Sequence, residues 1–462
     1  MSMNFAVETV ADLSSVPSII AVRSATLAET MAGLDAQSRD WVTNNGFNAK
    51  PDSWVAIPDP TGRIAQVLVG IEDPADPFAL GVLPFALAEG RYGLHPTLGE
   101  RIEPALAFVG WALAAYKFTR YRKPERAPAI LQLAADAADL AQARAVVEAA
   151  TRVRDLVNTP TQDMGPDELE AAVQQLAQRH RATIRVIRGD ELLEQNFPAI
   201  HAVGRASHRA PRLIELNWGD PADPGLSLVG KGVCFDTGGL DLKPADGMRN
   251  MKKDMGGAAH AIALAGLVMD QRLPVRLQLL VPAVENAVGP DAYRPGEVVA
   301  TRKGIQVEID NTDAEGRMVL CDALAFAAEA EPDLILDFAT LTGAARVALG
   351  PDLPALFAND DSVATAWIAA GERQRDPVWR MPLWRPYLRY LDSQIADVAN
   401  AGSRMAGAVT AALYLEKFIP DGQRWAHLDV YAWNDTDRPG RPRGGEALAL
   451  RSAFEMLRAR YG

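Results

Sequence analysis

Three segments of the sequence place acidic and basic side chains among glycines and other small residues. Residues 230–239 read GKGVCFDTGG and contain Lys231 and Asp236. Asp254 lies within the run KDMGG, and residues 311–317 read NTDAEGR. Converging carboxylates are suitable ligands for a hard or borderline divalent cation, and small neighbours let a ligand approach the backbone. These residue types therefore indicate a candidate metal site.

The NTDAEGR segment by itself allows two interpretations. If the segment is extended, residues two apart share a face, so Asp313, Glu315 and Arg317 point the same way with Ala314 and Gly316 between them. That arrangement would hold a cation. Alternatively, the segment is a solvated turn that leads into a helix, because acidic residues favour the first turn of a helix. The segment alone does not decide between them.

The combination of segments favours the metal interpretation. Taken singly, Asp236 and Asp254 are more often helix caps than ligands. Four carboxylates held close together and away from water repel one another strongly, and two divalent cations neutralise them by count. Lys231, Lys243 and Arg317 would then leave the pocket net positive, which suits a developing oxyanion.

The elements that must position these side chains alternate between strand and helix. Such alternation predicts an α/β fold whose central sheet is mostly parallel and covered by helices. Ligands of such sheets bind outside the carboxyl ends of the strands, where the acidic segments lie. The predicted strands are 212–218, 226–235, 275–281, 305–309, 334–336 and 427–431, and the predicted helices are 256–269, 318–330, 409–418 and 448–458.

The chain of 462 residues is expected to hold two domains. Residues 1–130 mix short strand-like runs with alanine-rich helical stretches and carry no chemical motif, which predicts a smaller N-terminal α/β domain. A helical pattern from about Leu131 to Val157 predicts a linking helix within 131–160, since turn signals follow at Asn158. Residues 161–462 form the larger, catalytic domain.

Composition excludes several classes of protein. The net charge of −12 disfavours general binding to nucleic acid. The longest apolar stretch, near 107–115, is far short of the roughly 20 residues that cross a membrane. Cys234 and Cys321 are too few for a disulfide framework, and with no signal-peptide pattern they predict a cytoplasmic protein. Residues 225–231 match GxxxxGK, but glycine follows where a phosphate loop needs Ser or Thr.

Together these segments resemble the leucyl aminopeptidase family, the cytosolic two-zinc exopeptidases. NTDAEGR is that family's most specific signature, and GKG, FDTGG, LKP and KDMGGAA precede it in the family's order. ATLTGA at 339–344 and AGAVTAA at 406–412 extend the match, which runs from about residue 150 to the end. The part before it is not specific, as in this family's variable N-terminal domain.

The resemblance implies a pair of divalent ions, zinc or manganese. Five residues match the ligands: Lys231, Asp236, Asp254, Asp313 and Glu315. Asp236 and Glu315 would bridge the two ions, Lys231 and Asp254 would complete the tighter site, and Asp313 the more exchangeable one. Lys231 must lose its proton to act as a ligand, since an ammonium has no free electron pair. Without metal, it is expected to pair with Asp236.

The resemblance also assigns the other site residues. Lys243 and Arg317 match the two catalytic cations: Lys243 would polarise the scissile carbonyl, and Arg317 would hold a bicarbonate. Positions that line the pocket for the first side chain are matched by Met251, Thr340 and Gly343. Positions whose backbone helps to hold the bicarbonate are matched by Ala314, Gly316 and Leu341.

The expected activity is metal-dependent hydrolysis of the N-terminal peptide bond of peptides, with a broad or hydrophobic preference for the first residue. The nucleophile is a water bound by both metals. The family's assembly implies a homohexamer. Two alternatives are a two-metal phosphoesterase and a non-catalytic binding or regulatory member of the family. The sequence departs from the family at Asp241, which adds a carboxylate, and at 434–446, which is rich in Arg, Pro and Gly.

Overall fold

The computed structural model describes residues 5–462, which divide into two compact units. The first unit contains the described residues up to Thr151 together with Asp435–Arg443. The second contains Arg152–Asn434 and Gly444–Gly462. The division between them falls inside a single long helix, α5.

The first unit is built on a six-stranded sheet in the order β1-β6-β5-β2-β4-β3. Only the β3–β4 pair is antiparallel. The core helix α4 buries an unbroken run of seven of its eleven residues, because it is apolar on every side. The elements are β1 Val7–Thr9, β2 Ser18–Val22, α1 Leu27–Ala32, α2 Ala36–Asn44, β3 Trp54–Pro58, β4 Ile64–Gly70, α3 Leu83–Ala86, β5 Arg91–Leu94, α4 Pro104–Ala114, β6 Ile130–Leu133 and α5 Ala141–Asn158.

The linking helix is shorter than the sequence predicted. The helical pattern was expected from Leu131, but residues 130–133 form strand β6, which pairs with β1 and β5. Helix α5 begins only at Ala141. The apolar run at 130–133 satisfies the pattern of either element, and its neighbours in the sheet decide between them.

The second unit carries the remaining helices and strands. They are α6 Pro166–His180, β7 Thr183–Arg188, α7 Glu191–Glu194, α8 Pro198–Gly204, β8 Arg212–Trp218, β9 Gly225–Gly230, β10 Gly232–Asp236, α9 Ala245–Met248, α10 Gly256–Asp270, β11 Arg276–Asn286, β12 Val298–Ala300, β13 Gln306–Glu308, α11 Glu315–Glu329, β14 Leu334–Ala339, α12 Gly343–Leu349, β15 Ala355–Ala358, α13 Asp361–Gln374, β16 Trp379–Arg380, β17 Val398–Ala399, α14 Gly407–Glu416, β18 Trp425–Asp429, β19 Trp433–Asn434, β20 Gly444–Gly445 and α15 Leu450–Tyr461. A 3₁₀ helix, Met251–Met255, precedes α10.

Nine strands form the main sheet of this unit, in the order β16-β15-β18-β14-β9-β11-β8-β7, with β10 also paired to β11. Strands β9, β10, β11, β14 and β18 run parallel to their neighbours within this group, whereas β7, β8 and β15 pair antiparallel with β8, β11 and β18. The predicted mostly parallel α/β fold is confirmed.

Helices cover both faces of this sheet. On β9, Val229 packs into the core cluster that contains α11, while a Cβ on the next residue, Gly230, would lie 2.6 Å from Cα of Ala258 in α10. Successive residues of a strand point to opposite faces, so α11 and α10 lie on opposite sides. Helix α10 approaches closely: a Cβ on Gly257 would be 2.1 Å from the carbonyl oxygen of Phe338.

Two local predictions need correction. The strand predicted over 226–235 is broken at Lys231 into β9 and β10. The strand predicted over 275–281 extends to Asn286 as β11. Residues 225–230, whose match to a phosphate loop was rejected in the sequence, form a buried strand. Among the described residues, no helix combines the length and apolarity that a membrane span requires.

Candidate metal centre

The carboxyl ends of the parallel strands meet at one edge of the main sheet. Asp236 is the last residue of β10, Lys231 lies at the break between β9 and β10, and Thr340 follows β14. The backbone of Lys231 is fixed on two sides: its N–H donates to Phe338 at 2.9 Å, and its carbonyl accepts from Ala258 at 2.8 Å. The edge predicted from the sequence is therefore where the candidate ligands converge.

Three carboxylates form the candidate metal centre. Asp236, Asp313 and Glu315 each offer an oxygen, and these oxygens lie within 4.8 Å of one another. Asp236 and Glu315 are buried, whereas Asp313 is exposed. The extended interpretation of the NTDAEGR segment is wrong, because Glu315 is the first residue of α11. The turn into the helix nevertheless brings Asp313 and Glu315 to the same place.

Lys231 extends the cluster to a fourth carboxylate. Its Nζ lies 2.7 Å from Oδ2 of Asp254 and 2.8 Å from Oε1 of Glu315, and it donates to the carbonyl of Thr340 at 3.0 Å. The partner expected without metal was Asp236, but that carboxylate pairs with Lys243. Burial acts to lower the pKa of Lys231, and the carboxylates of Asp254 and Glu315 outweigh burial, so its pKa lies above the usual range.

Lys243 occupies the other side of the cluster. Its Nζ lies 2.8 Å from Oδ2 of Asp236 and also pairs with Asp313. The other oxygen of Asp236 accepts from the N–H of Gly238 and from the side-chain amide of Asn286, both at 2.8 Å. Two ammonium groups thus lie between the four carboxylates and offset part of their mutual repulsion.

The acids repel one another despite these lysines. Burial, followed by the charge of Asp236, raises the pKa of Asp313 to about 6, although Lys243 lowers it. Burial and the charge of Asp236 also raise the pKa of Glu315 well above its usual range. For Asp254, burial raises the pKa, but Lys231 and Lys253 outweigh it and the pKa is lowered. Divalent cations would relieve this repulsion, so the donor set fits them.

The region predicted to hold bicarbonate offers fewer free donors than expected. Arg317 is buried, its Nη1 donates to the carbonyl of Asn400 at 2.5 Å, and its Nε has no partner among residues 5–462. The N–H of Leu341 donates to Asp429, and that of Ala314 donates to Asn311. This region therefore leaves Nε of Arg317 as a buried donor that an anion would satisfy.

The candidate ligands face a cavity of about 330 Å³. Ten of the thirteen predicted site residues line it, and Arg317, Ala314 and Gly316 are the three that do not. The ten comprise the five candidate ligands with Lys243, Met251, Thr340, Leu341 and Gly343. Thr340 also donates its hydroxyl to Oδ1 of Asp254 at 2.8 Å. Folding thus assembles one site from segments far apart in the chain.

Several supporting residues were missed in the sequence. Asn286 ends β11 and holds Asp236, and Asp429 ends β18 and accepts from the N–H of Leu341 at 3.0 Å and from the Thr342 hydroxyl at 2.7 Å. Both obey the rule that polar residues at the carboxyl ends of parallel strands build the site. The rule locates them only with the observed strand ends, because the predicted strands ended at 281 and 431.

The two departures from the family pattern have structural roles. The carboxylate of Asp241 accepts from the N–H of Thr312 at 2.8 Å, so it holds the turn before Asp313. Within the first unit, the guanidinium of Arg441 lies over the ring of Phe78, 5.1 Å from its centroid. Within the second, Glu446 pairs with the buried Arg154 at 3.1 Å.

Comparison with known proteins identifies the family. The catalytic-domain model of the cytosol aminopeptidase family matches residues 151–452, and the M17 aminopeptidase N-terminal domain matches residues 16–134. Proteins named "Probable cytosol aminopeptidase" from Syntrophotalea carbinolica and Roseiflexus castenholzii are each 40% identical to the chain. The first alignment covers 80% of this chain and 77% of the relative, and the second 79% and 78%.

Solved structures agree. The crystal structure of the cytosol aminopeptidase from Coxiella burnetii is 48% identical, covers 99% of this chain and 100% of its own, and has a TM-score of 0.94. The bottromycin maturation enzyme BotP in complex with Mn is 34% identical, with coverages of 97% and 100% and a TM-score of 0.85. The chain therefore belongs to the cytosol aminopeptidase family and is a metal-dependent aminopeptidase, a hydrolase of peptide bonds.

Proposed function

We propose that this aminopeptidase hydrolyses the N-terminal bond of peptides with a broad or hydrophobic preference for the first residue, and that it does so in the cavity beside the candidate metal centre. One observation carries the proposal. Asp236, Asp313 and Glu315 converge within 4.8 Å on the wall that also contains Lys231 and Asp254. Carboxylates this close together repel one another, so cation binding explains the cluster better than a role in stabilising the sheet edge does.

Five side chains would hold two divalent ions, zinc or manganese. Asp236 and Glu315 would contribute to both sites, Lys231 and Asp254 would complete one of them, and Asp313 would complete the other. The manganese complex of BotP supports manganese as a candidate. When bound, the ions polarise a scissile carbonyl and lower the pKa of a bound water. Lys231 binds as a neutral amine, which requires the release of the proton that it shares with Asp254 and Glu315.

Lys243 is the residue that donates a hydrogen bond to the scissile carbonyl oxygen. Its ammonium lines the cavity and is held by Asp236 and Asp313 on the wall where that carbonyl must lie. The same donor stabilises the negative charge that grows on the oxygen as the bond to water forms. Removal of one such donor typically lowers kcat by about 10²–10³-fold.

Arg317 holds a bicarbonate at the first turn of α11. The free Nε of its guanidinium and the amide of Gly316 support this assignment, whereas the amides of Ala314 and Leu341 are engaged elsewhere. When bound there, the anion supplies a proton acceptor near the reacting water. Arg317 fixes its position because the guanidinium is itself held by the carbonyl of Asn400.

Met251, Thr340 and Gly343 form the pocket for the first side chain of the peptide. All three line the cavity, and a Cβ on Gly343 would meet nothing within 4 Å, which leaves room for a substrate side chain. The thioether of methionine adapts to apolar side chains of different shape, which supports a broad or hydrophobic preference.

An assay after metal exchange tests the proposal. Protein treated with a chelator is expected to lose hydrolysis of leucine p-nitroanilide and to regain it with Zn²⁺ or Mn²⁺. Lys243→Ala is expected to lower kcat by about 10²–10³-fold with metal bound, because the oxyanion loses its donor. The control is Lys417→Met, which removes a lysine outside the cavity lining.

Full activity after chelation, or an unimpaired Lys243→Ala variant, contradicts the mechanism. Hydrolysis of p-nitrophenyl phosphate at a higher kcat/KM than the anilide would favour a two-metal phosphoesterase. Absence of both activities in metal-loaded protein would favour a binding or regulatory role.

The proposal extends to cellular context. A cytoplasmic homohexamer that acts on peptides is proposed on the family resemblance. Nucleic acid is not a proposed partner because the chain carries a net charge of −12. Membrane association is not proposed either.

A further inference from the structure

A second group of cations lines the cavity, apart from the candidate metal ligands. The ammonium of Lys253 lies 4.9 Å from the centroid of the Tyr431 ring, and the guanidinium carbon of Arg346 lies 4.7 Å from the same centroid. All three side chains line the cavity. One aromatic ring therefore holds two positive charges at one part of the wall.

Lys253 is the unusual member of this group. Its side chain is only 6% exposed, yet its ammonium makes no ion pair and no hydrogen bond with any side chain or carbonyl in the described part of the chain. Burying an ammonium without a counter-ion is unfavourable. Lys253 lines the cavity, so an anionic ligand that enters the cavity can reach its ammonium group.

The acids of the cavity are already engaged with other groups. Lys231 forms ion pairs with two of them, Lys243 forms ion pairs with two others, and the fifth accepts hydrogen bonds from the turn that follows β14. The pairs are Asp254 and Glu315 with Lys231, Asp236 and Asp313 with Lys243, and Asp429 with the N–H groups of Leu341 and Thr342. None of these carboxylates lies within ion-pair distance of Lys253, so the carboxylate of a bound molecule would supply a contact that the described residues do not.

The position of the cations indicates which part of a peptide they meet. Lys253 shares a 3₁₀ helix with Met251, and Arg346 lies three residues after Gly343 on α12, on the same side of that helix. Met251 and Gly343 belong to the proposed pocket for the first side chain. The cations thus lie beside that pocket.

We propose that Lys253, together with Arg346, forms a carboxylate-binding subsite that accepts the acidic side chain of an N-terminal glutamate, with Tyr431 holding the two cations. This inference rests on the proposed function of the cavity. The methylene groups of glutamate contact Met251, and its carboxylate supplies the counter-ion that Lys253 lacks. Lys253 is then a specificity-determining residue.

Matched substrates test the subsite in the Mn²⁺-loaded enzyme. Lys253→Met is expected to lower kcat/KM for glutamate p-nitroanilide by about ten-fold or more, mainly through KM, because a charge-assisted hydrogen bond is lost. Hydrolysis of the glutamine and leucine p-nitroanilides is expected to change by less than about two-fold. Lys253→Arg should restore the glutamate substrate, and Arg346→Met should shift it in the same direction as Lys253→Met.

The control variant is Lys417→Met, which should leave all three substrates unchanged. If Lys253→Met fails to fold, the kinetics of Arg346→Met test the subsite instead. Arg346 is exposed, so its replacement is expected to leave the fold intact. An equal loss for the glutamate, glutamine and leucine substrates overturns the subsite, and so does no loss for any of them.

The wild-type enzyme separates the two proposals. Hydrolysis of the leucine substrate but not of the glutamate substrate overturns the subsite and leaves the aminopeptidase proposal intact. Hydrolysis of neither overturns the proposed function. The C-terminal carboxylate of a short peptide is the other group that can bind these cations. Hydrolysis of Leu-Gly is therefore compared with hydrolysis of its C-terminal amide. A loss in Lys253→Met for Leu-Gly alone overturns the assignment to the first side chain.

Discussion

Lys231 and Lys253 are both buried lysines of one cavity, yet their surroundings differ. Lys231 has carboxylates on two sides, and these hold its pKa above the usual range. Burial lowers the pKa of Lys253 to about 8, because the opposing charge of Asp254 is too weak to offset burial and the charge of Lys231 lowers the pKa further. The same residue type therefore serves two tasks, and the distribution of acids decides which.

Gly316 determines where the side chain of Lys231 can lie. A Cβ at this position would be 2.7 Å from Cε of Lys231, which is closer than any ordinary contact. Gly316→Ala is therefore expected to displace the lysine from its carboxylates and to lower metal affinity by about 10–100-fold. Titration of chelated protein with Mn²⁺, followed by calorimetry, measures the effect.

Gly343→Ala is the matched control for this glycine. Its new Cβ lies on another wall of the same cavity and meets nothing within 4 Å, so metal affinity should stay unchanged. Equal metal affinity in wild-type and Gly316→Ala protein would show that Lys231 does not contribute a ligand.

At the scale of elements, neighbouring strands β14 and β18 enclose an ion pair. Asp337 and His427 are directly paired in register, and Nδ1 of His427 lies 2.5 Å from Oδ1 of Asp337. The other oxygen of Asp337 accepts from the indole of Trp425 at 2.7 Å. Both members of the pair are fully buried. Burial acts to lower the pKa of His427, but the charge of Asp337, assisted by Asp429, outweighs it and raises the pKa.

This pair predicts a pH-dependent contribution to stability. The unfolded pKa of histidine is about 6.5, and the folded pKa is higher, so the stabilisation is fully present below about pH 6.5. It is lost as the pH rises through the raised pKa. His427→Gln is expected to lower the free energy of unfolding by about 3 kcal/mol at pH 6, with a smaller difference at higher pH.

Urea unfolding of chelated protein at several pH values measures this difference without a contribution from metal binding. His208→Gln is the control, since that histidine is exposed and should leave the pH profile unchanged. A constant difference between His427→Gln and wild type at every pH would show that the pair does not titrate on unfolding.

At the scale of the whole molecule, exposed apolar side chains are concentrated in one segment of the second unit. Between residues 379 and 405, four large side chains are each more than half exposed: Trp379, Trp384, Ile395 and Met405. Water-exposed apolar surface on this scale favours association, which supports the proposed homohexamer.

Sedimentation tests the assembly. Six chains of 49.8 kDa are expected to sediment as one particle of about 300 kDa. Ile395→Lys is expected to shift the population towards smaller species, whereas Val288→Lys, at an exposed position outside the segment, should not. A monomer at micromolar concentration would contradict the proposal.

Local sequence patterns were enough to identify the class of fold, the family and the edge of the sheet where the candidate ligands lie. Period and apolarity identify strands and helices locally, and α10 needs only its run of small and apolar residues to be recognised. Two of the acidic segments could also be placed from the sequence, because Asp236 ends a strand and Asp313 follows one, whereas Asp254 lies in a 3₁₀ helix. These features depend on neighbours in the chain.

Which side chains come together in the candidate site depends on how the whole chain folds. The pairing of Lys231 with Asp254 and Glu315 depends on segments more than 20 residues apart, and no local pattern encodes it. The residues of β6 fit a helical pattern equally well, and only their pairing with β1 and β5 makes them a strand. The burial of Lys253, and its lack of an ion-pair partner among the described residues, arise only once the cavity has formed. Long-range packing sets these outcomes because electrostatic and burial energies depend on distance in space.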